Sequence, residues 1–332
     1  MRTQRLLSWT AVRFVPLLVL VVAVMPVASA DPSPRYTFQK ISTLATPCTP
    51  APGGGFFQFD FEPWGFNSRG DLAFAADFIN TNAMPCGAGF TFPSDGEGIF
   101  LWRNGQLSQI TRNGLPAPGG GMFSTAVLGY TSINDPGDVA FVYGLDPFFP
   151  PELEGFPKAG LYRFSHTDHT LSSVVVPGAT LSPGFGLFQS TYFHATINNA
   201  GDIVFPGVVN TAFGTAPHLG LGIFMAGKKD QISKIVAPGD AAPGGSVFDM
   251  AFNPWINDGG DVAFGAHVKG EECIDIGSGT LVCGESLYLR KSGTEVIESI
   301  AHQGDLAPGG GKFHWAWGAV LNNRSDIAFI ES

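Results

Sequence analysis

Asn134-Asp135-Pro136-Gly137-Asp138-Val139-Ala140-Phe141 is the stretch whose reading decides the fold, because it occurs five times. The other copies are Asn67-Ser68-Arg69-Gly70-Asp71-Leu72-Ala73-Phe74, Asn198-Asn199-Ala200-Gly201-Asp202-Ile203-Val204-Phe205, Asn257-Asp258-Gly259-Gly260-Asp261-Val262-Ala263-Phe264 and Asn322-Asn323-Arg324-Ser325-Asp326-Ile327-Ala328-Phe329. Their first asparagines lie 67, 64, 59 and 65 residues apart. A near-constant period of this length says that the fold is one unit copied. Within the octad, Asn tolerates left-handed geometry and caps its own turn, and Gly supplies a positive φ. The next residues alternate, so Val139 and Phe141 share a face and Ala140 points the other way. The octad therefore predicts a tight hairpin turn followed by a strand, with Asn67, Gly70, Asn134, Gly137, Asn198, Gly201, Asn257, Gly260 and Asn322 as structural turn residues.

A second signature runs offset from the first. It is a Pro/Gly loop ending on phenylalanine: Pro50 to Phe57, Pro116 to Phe123, Pro243 to Phe248, Pro308 to Phe313 and, in its weakest form, Pro183 to Phe188. A strand leads from each loop to the Asn turn. After the Ala-Phe strand comes a loop of variable length, then a second hairpin. Its clearest copy, Gly98 to Ile110, turns on Asn104-Gly105, a strong type I′ signal. Arg35 to Leu44 alternates apolar and polar residues like a half-buried strand. The expected total is nineteen strands and essentially no helix. Repeated four-stranded antiparallel units cannot bury both faces alone, and packing them around an axis does so. The expected fold is all-β, a β-propeller of about five blades. An open stack of sheets or a sandwich is the alternative.

Composition agrees. Gly (44) and Pro (25) favour turns, and 29 Phe against 6 each of Tyr and Trp point to a core without polar handles. A net charge of −10 with no basic run disfavours nucleic acid and anionic membrane surfaces. Residues 1–30 read as a secretory signal: Arg2 and Arg5, an apolar run, and Ala28-Ser29-Ala30 before Asp31. The mature chain, residues 31–332, is then one secreted repeat domain, extracellular or periplasmic, with no membrane span after cleavage. The four cysteines fit an exported protein, and the expected pairs, Cys48–Cys86 and Cys273–Cys283, each close a short loop.

The pattern Asn-x-x-Gly-x-x-Ala-Phe, alternating with Gly-Asp-x-Ala-Pro-Gly-Gly-Gly-x-Phe, resembles bacterial exported proteins with tandem NxxGxxAF repeats. The resemblance covers nearly all of residues 35–332 and departs at Val204 and Ser325. It implies a propeller-like architecture and no particular activity. Many such proteins carry a C-terminal sorting anchor. The residues of that signal are missing here, so anchoring is not carried over.

Candidate chemistry is sparse. Asp71, Asp138, Asp202, Asp261 and Asp326 recur in every copy, which favours turn capping, since catalysis needs residues that break symmetry. No cofactor is expected. Gly239-Asp240 and Gly304-Asp305 offer oxygens for a structural Ca²⁺, although their density falls short of a calcium loop. His166 and His169 lie on one turn, as a metal pair or as surface filler. The symmetry-breaking aromatics Trp64, Tyr130, Tyr192, Trp255, Trp315 and Trp317 lie on the strands that lead into the Asn turns. They are candidates for stacking on sugar or peptide, or for packing between blades. The leading expectation is a secreted, non-enzymatic binding or structural module whose partner is a polysaccharide or protein. The alternative is a carbohydrate-active hydrolase or lyase using acids such as Asp60, Glu62 or Asp249 in a funnel.

Overall fold

A computed structural model describes residues 49–79, 96–153, 156–211, 218–271, 273–275, 281–313 and 315–331. Cys48, Cys86, the strand expected at Arg35 to Leu44 and the signal segment lie outside them. The described chain is all-β, apart from one 3-10 turn at Pro151–Leu153. The first sheet contains β1 (Phe56–Phe66), β2 (Leu72–Ile79), β3 (Gly96–Arg103) and β4 (Gln106–Arg112), paired antiparallel in that order. The second repeats this order with β5 (Phe123–Ile133), β6 (Val139–Leu145), β7 (Ala159–Ser165) and β8 (Thr170–Val175).

In the third sheet the first strand is broken into β11 (Ser190–Thr191) and β12 (Thr196–Ile197), after a small hairpin of β9 (Leu181–Ser182) and β10 (Gly186–Leu187). Both pieces pair with β13 (Ile203–Thr211), followed by β14 (His218–Ala226) and β15 (Ile232–Val236). The fourth sheet is β16 (Phe248–Ile256), β17 (Val262–Val268), β20 (Ser286–Arg290) and β21 (Ile297–Ala301). A side hairpin, β18 (Cys273–Asp275) and β19 (Leu281–Cys283), is inserted between its second and third strands. A fifth unit shows two strands, β22 (Ala316–Leu321) and β23 (Ile327–Glu331).

Packing follows from the alternation in the octad. Val139, Phe141 and Tyr143 pack with Ala73, Ala75, Ile99 and Leu101 of the preceding sheet. Ala140 and Val142, on the opposite face, pack with Phe188, Ile203 and Phe205 of the next. Val204 meets Phe264 of the fourth sheet in the same way, and Leu287 meets Phe313 and Phe329 of the fifth unit. The cores therefore lie between consecutive sheets. This is the blade packing of a propeller and not the single two-layer core of a sandwich. Alanine stands where the neighbour presents a ring.

Each of the first four sheets holds three rings in a repeated geometry. The phenylalanine that ends the Pro/Gly loop meets an aromatic on the third strand edge-on, at 4.9 Å for Phe57–Phe100, 4.9 Å for Phe123–Tyr162, 4.9 Å for Phe188–Phe224 and 5.0 Å for Phe248–Tyr288. The octad phenylalanine stacks on the same third-strand ring at 5.6, 5.8, 6.0 and 5.8 Å, for Phe74, Phe141, Phe205 and Phe264 respectively. Edge-on and offset stacks are the preferred contacts of aromatic quadrupoles. The two sequence signatures thus converge on one core site per sheet.

The Asn turns link the sheets. Each asparagine Oδ1 accepts the amide of the aspartate four residues on: Asp71, Asp138, Asp202, Asp261 and Asp326, at 2.8 to 2.9 Å. Its Nδ2 donates to the main-chain oxygen of the next asparagine: Asn67 to Asn134 at 2.9 Å, Asn134 to Asn198 at 3.1 Å, Asn198 to Asn257 at 3.2 Å and Asn257 to Asn322 at 3.1 Å. One side chain must accept within its turn and donate to its neighbour, so aspartate cannot replace it. The turn Gly donates to the same asparagine's carbonyl with φ of 80 to 100° at Gly70, Gly137, Gly201 and Gly260. Ser325 holds that place in the fifth copy with φ 64°, and its hydroxyl bonds Asp261 of the preceding repeat.

A test follows for Asn198, which is buried and bridges two sheets. Asn198→Asp leaves the carbonyl of Asn257 without its donor and sets a carboxylate beside Asp202. Guanidinium unfolding should show a loss of about 2 kcal/mol or more. Asn322→Asp, at the exposed end of the relay, should cost less than about 1 kcal/mol.

Candidate binding face at the strand irregularities

The first strand of every sheet is irregular opposite the octad phenylalanine. Pro63 and Trp64 stand against Phe74 alone, Asn253 and Pro254 against Phe264, and Gly318 and Ala319 against Phe329. In the second sheet Gly129, Tyr130 and Thr131 stand against Phe141. Extra residues of this kind bend a strand, increase its twist and re-aim side chains. In the third sheet the defect is widest: Tyr192, Phe193, His194 and Ala195 face Phe205 and Pro206, and the ladder is interrupted.

That interruption gathers aromatic side chains. Phe193 meets Tyr192 edge-on at 4.2 Å, and Phe156, from the loop between β6 and β7, meets Tyr192 at 5.7 Å. Phe193 is 40% exposed and Tyr192 is half-buried. Burial raises the Tyr192 phenol above its ordinary value. The loop is pinned in place: Ser190 Oγ donates to the carbonyl of Pro157 and accepts the amide of Ala159, and Thr191 Oγ1 donates to the carbonyl of Ala159 at 3.0 Å. Ser190 and Thr191 are fully buried. The variable loop and the broken first strand are thus hydrogen-bonded into one patch.

Of the six aromatics read from the sequence, Tyr192 is part of this patch. Trp255 packs its ring edge-on with His194 at 4.8 Å and is half-buried. Trp315 is half-buried just before β22. The side chains of Trp64, Tyr130 and Trp317 lie outside the described ones. Sequence reasoning missed Phe156, Phe193 and His194. The signal present was the weakest Pro/Gly copy, Pro183 to Phe188, which precedes the broken strand.

The carboxylates are held in structure. Asp138 accepts the amide of His166 and Asp261 that of Ser292, so these residues tie the Asn turn to the second hairpin of the same sheet. They do not bond amides of their own turn, as the octad alone suggested. A second tier of bonds crosses between sheets. Asp135 accepts from Ser68, the amide of Asp135 donates to Asn199, the amide of Asn199 to Asp258 and the amide of Asp258 to Asn323, at 2.7 to 2.9 Å. The Ser68 hydrogen bonds hold the Asp135 carboxyl below its usual value. Asp240 caps the amide of Ala237 and pairs with Lys234 at 2.6 Å, and Asp305 caps the amide of His302. Those two aspartates act as loop caps. His166 and His169 rings lie 5.4 Å apart. No cluster of three or more metal-ligating side chains occurs among the described residues.

Two buried groups titrate abnormally. Burial pushes the Glu285 carboxyl up to about 8, and its Oε1 is buried without a hydrogen-bond partner among the described residues. Burial pushes the His194 imidazole down to about 4. In both cases burial favours the neutral form.

Sequence comparison finds no match among protein-family models and none among curated proteins. Among solved structures the chain is similar to the tricorn protease (TM-score 0.39, 8% identity, 83% of this chain and 26% of that one). It is also similar to a Mycobacterium tuberculosis puromycin-hydrolysing peptidase (TM-score 0.33, 10% identity, 86% and 47%) and to a glycoside hydrolase (TM-score 0.32, 10% identity, 87% and 89%). The chain spans about a quarter of the first and about half of the second. At these scores the likeness carries nothing about activity.

Both abnormal groups make stability depend on pH, with opposite signs. The folded value of Glu285 lies above the unfolded one. Its contribution is complete below the ordinary glutamate range and is lost as pH rises from there through about 8. Glu285→Gln should therefore flatten that part of a stability profile recorded over about pH 5 to 9. The folded value of His194 lies below the unfolded one, so its contribution is complete above the ordinary imidazole range and is lost as pH falls towards about 4.

Proposed function

We propose that this protein is a secreted, non-enzymatic binding module that takes a neutral polysaccharide on the patch formed by Phe156, Tyr192 and Phe193. One observation carries the reading. The only octad repeat whose first strand is broken among the described residues is also where an exposed ring and a pinned loop meet. Exposed aromatic rings stack on the apolar faces of sugars. The net charge of −10 disfavours anionic chains. The octad aspartates described above bond to turns and neighbouring hairpins, which supports a structural role for them.

Export rests on residues 1–30 and on the cysteines. The backbone of the side hairpin sets Cys273 directly opposite Cys283, a cross-strand separation that suits a disulfide. Two measurements test this part. Non-reducing peptide mapping should recover residues 273 and 283 in one linked peptide, and the secreted protein should begin at Asp31. Free thiols at both positions, or an intact N-terminus, would remove the exported reading.

The binding reading is tested with an array of neutral glycans followed by calorimetry on the best hit. Phe193→Ala and Tyr192→Ala should each weaken binding about tenfold, as loss of about 1 to 1.5 kcal/mol of stacking implies. An array without hits, or hits untouched by both variants, contradicts it.

A further inference from the structure

The β9–β10 hairpin departs from the other Pro/Gly loops at one residue. Phe185 stands where Gly54, Gly120, Gly245 and Gly310 stand in the other copies. It packs against the buried cluster that holds Phe188, Phe205 and Phe224, which ties the hairpin to the core. In the first two sheets the glycine after the loop proline lies against side chains in or just after the outer strand: a Cβ on Gly53 would meet Gln109, and one on Gly119 would meet Ser173 and Val176. A Cβ on Gly184 would meet nothing within 4 Å. Gly244 and Gly309 are equally open, but their loops have glycine in place of the anchoring ring.

This hairpin and the β14–β15 turn frame an open cleft of about 590 Å³, a volume within the range of small-molecule sites. Leu181, Pro183 and Ile232 give it apolar walls, and Leu181 is 73% exposed. Two polar side chains also line it. Ser182 is only 5% exposed, and its Oγ has no hydrogen-bond partner among the described residues. A buried hydroxyl without a partner is a cost to the fold unless something outside the chain supplies the bond. Asp230 comes from the β14–β15 turn, where its backbone is left-handed at φ 58° and its amide donates to the carbonyl of Gly227 at 2.8 Å. Arg163 of the second sheet holds its Oδ1 at 3.3 Å, which leaves Oδ2 as an acceptor.

Charge narrows the ligand. Arg163 already neutralises Asp230, and Lys228 and Lys229 stand exposed in the same turn, so a cation gains little here. The carboxylate in the cleft repels an anion. What remains is a neutral molecule with hydroxyl donors and an apolar face. We propose that this cleft is a sugar-binding site separate from the patch at Phe193, and that it takes one neutral pyranose unit. Sugar hydroxyls bond Asp230 and Ser182, and the C–H face of the ring lies on Leu181 and Ile232. A few placed polar groups on apolar walls fix orientation in sites of this kind. The inference does not depend on the patch at Phe193, because no residue is shared between them.

The test uses the full chain and the methyl glycosides of glucose, galactose and mannose, read by saturation-transfer NMR and hydrogen exchange. At least one glycoside should bind saturably and slow exchange in residues 180–187 and 227–232. Ser182→Ala should weaken that binding about tenfold. It should leave the guanidinium midpoint unchanged or raise it, because an unpartnered hydroxyl contributes nothing to the fold. Leu181→Ser, at an exposed position, should also weaken binding without moving the midpoint. Phe193→Ala should leave binding unchanged, so this site and the patch can fail separately. Glucosamine and glucuronate, of opposite charge, should both bind more weakly than the neutral glycosides. The proposal is overturned by the absence of saturation up to about 50 mM glycoside. It is also overturned if binding survives both Ser182→Ala and Leu181→Ser, or if either charged sugar binds more tightly. Binding lost in Phe193→Ala alone assigns the sugar to the patch and overturns this site. A lowered midpoint in Ser182→Ala shows the hydroxyl to be bonded already and overturns it as well.

Discussion

The structure depends on a side-chain amide that faces two ways. In each of four consecutive turns the asparagine accepts a hydrogen bond from its own turn and gives one to the next turn's main chain. The groups are buried in the first four turns, where an unmet donor or acceptor costs about 1 to 3 kcal/mol. Local turn geometry and the spacing between sheets are therefore set by the same residue. Phenylalanines then fill the space that this spacing leaves, and alanine marks where a neighbour's ring intrudes. The two recurring motifs are one device seen at its two ends, a polar clasp at the Asn turn and three rings at the middle of each sheet.

The candidate site arises where this device is disturbed. In the third sheet the interrupted ladder takes Tyr192 and Phe193 out of the regular strand pairing, and Ser190 and Thr191 turn the gap into an anchored surface by gripping the adjacent loop. A symmetric array supplies rigidity, and a local departure supplies individuality. Loops held on a rigid frame are a common place for recognition.

Much of the fold was legible. The octad predicted a turn and a strand at each copy, and Asn104-Gly105 predicted the hairpin between β3 and β4. Of the nineteen expected strands, the one at Arg35 to Leu44 lies outside the described residues; among the described ones the first strand of the third sheet is split and two small hairpins are added. The strand irregularities were not legible, because an offset of one residue shows only when two strands are aligned. The reason for asparagine was half legible: its capping role is local, and its bond to the next repeat spans about sixty residues. Of the candidate site, Tyr192 was legible from its place before a turn. Phe156 was not, because a loop from another sheet delivers it. Trp255 was read either as a stacking ring or as packing between blades, and the structure gives it His194 as an edge-on neighbour.

The relay of amides runs one way. Asn67 gives to Asn134, Asn134 to Asn198, and so on to Asn322, so each module presents one kind of surface forward and another backward. A head-to-tail contact of this kind contains no instruction about how many copies to join. Gain or loss of a whole unit would keep the asparagine-to-main-chain bond at each junction, while the second tier of partners differs from one junction to the next. The asparagine relay therefore orients each module on the next without itself setting how many there are.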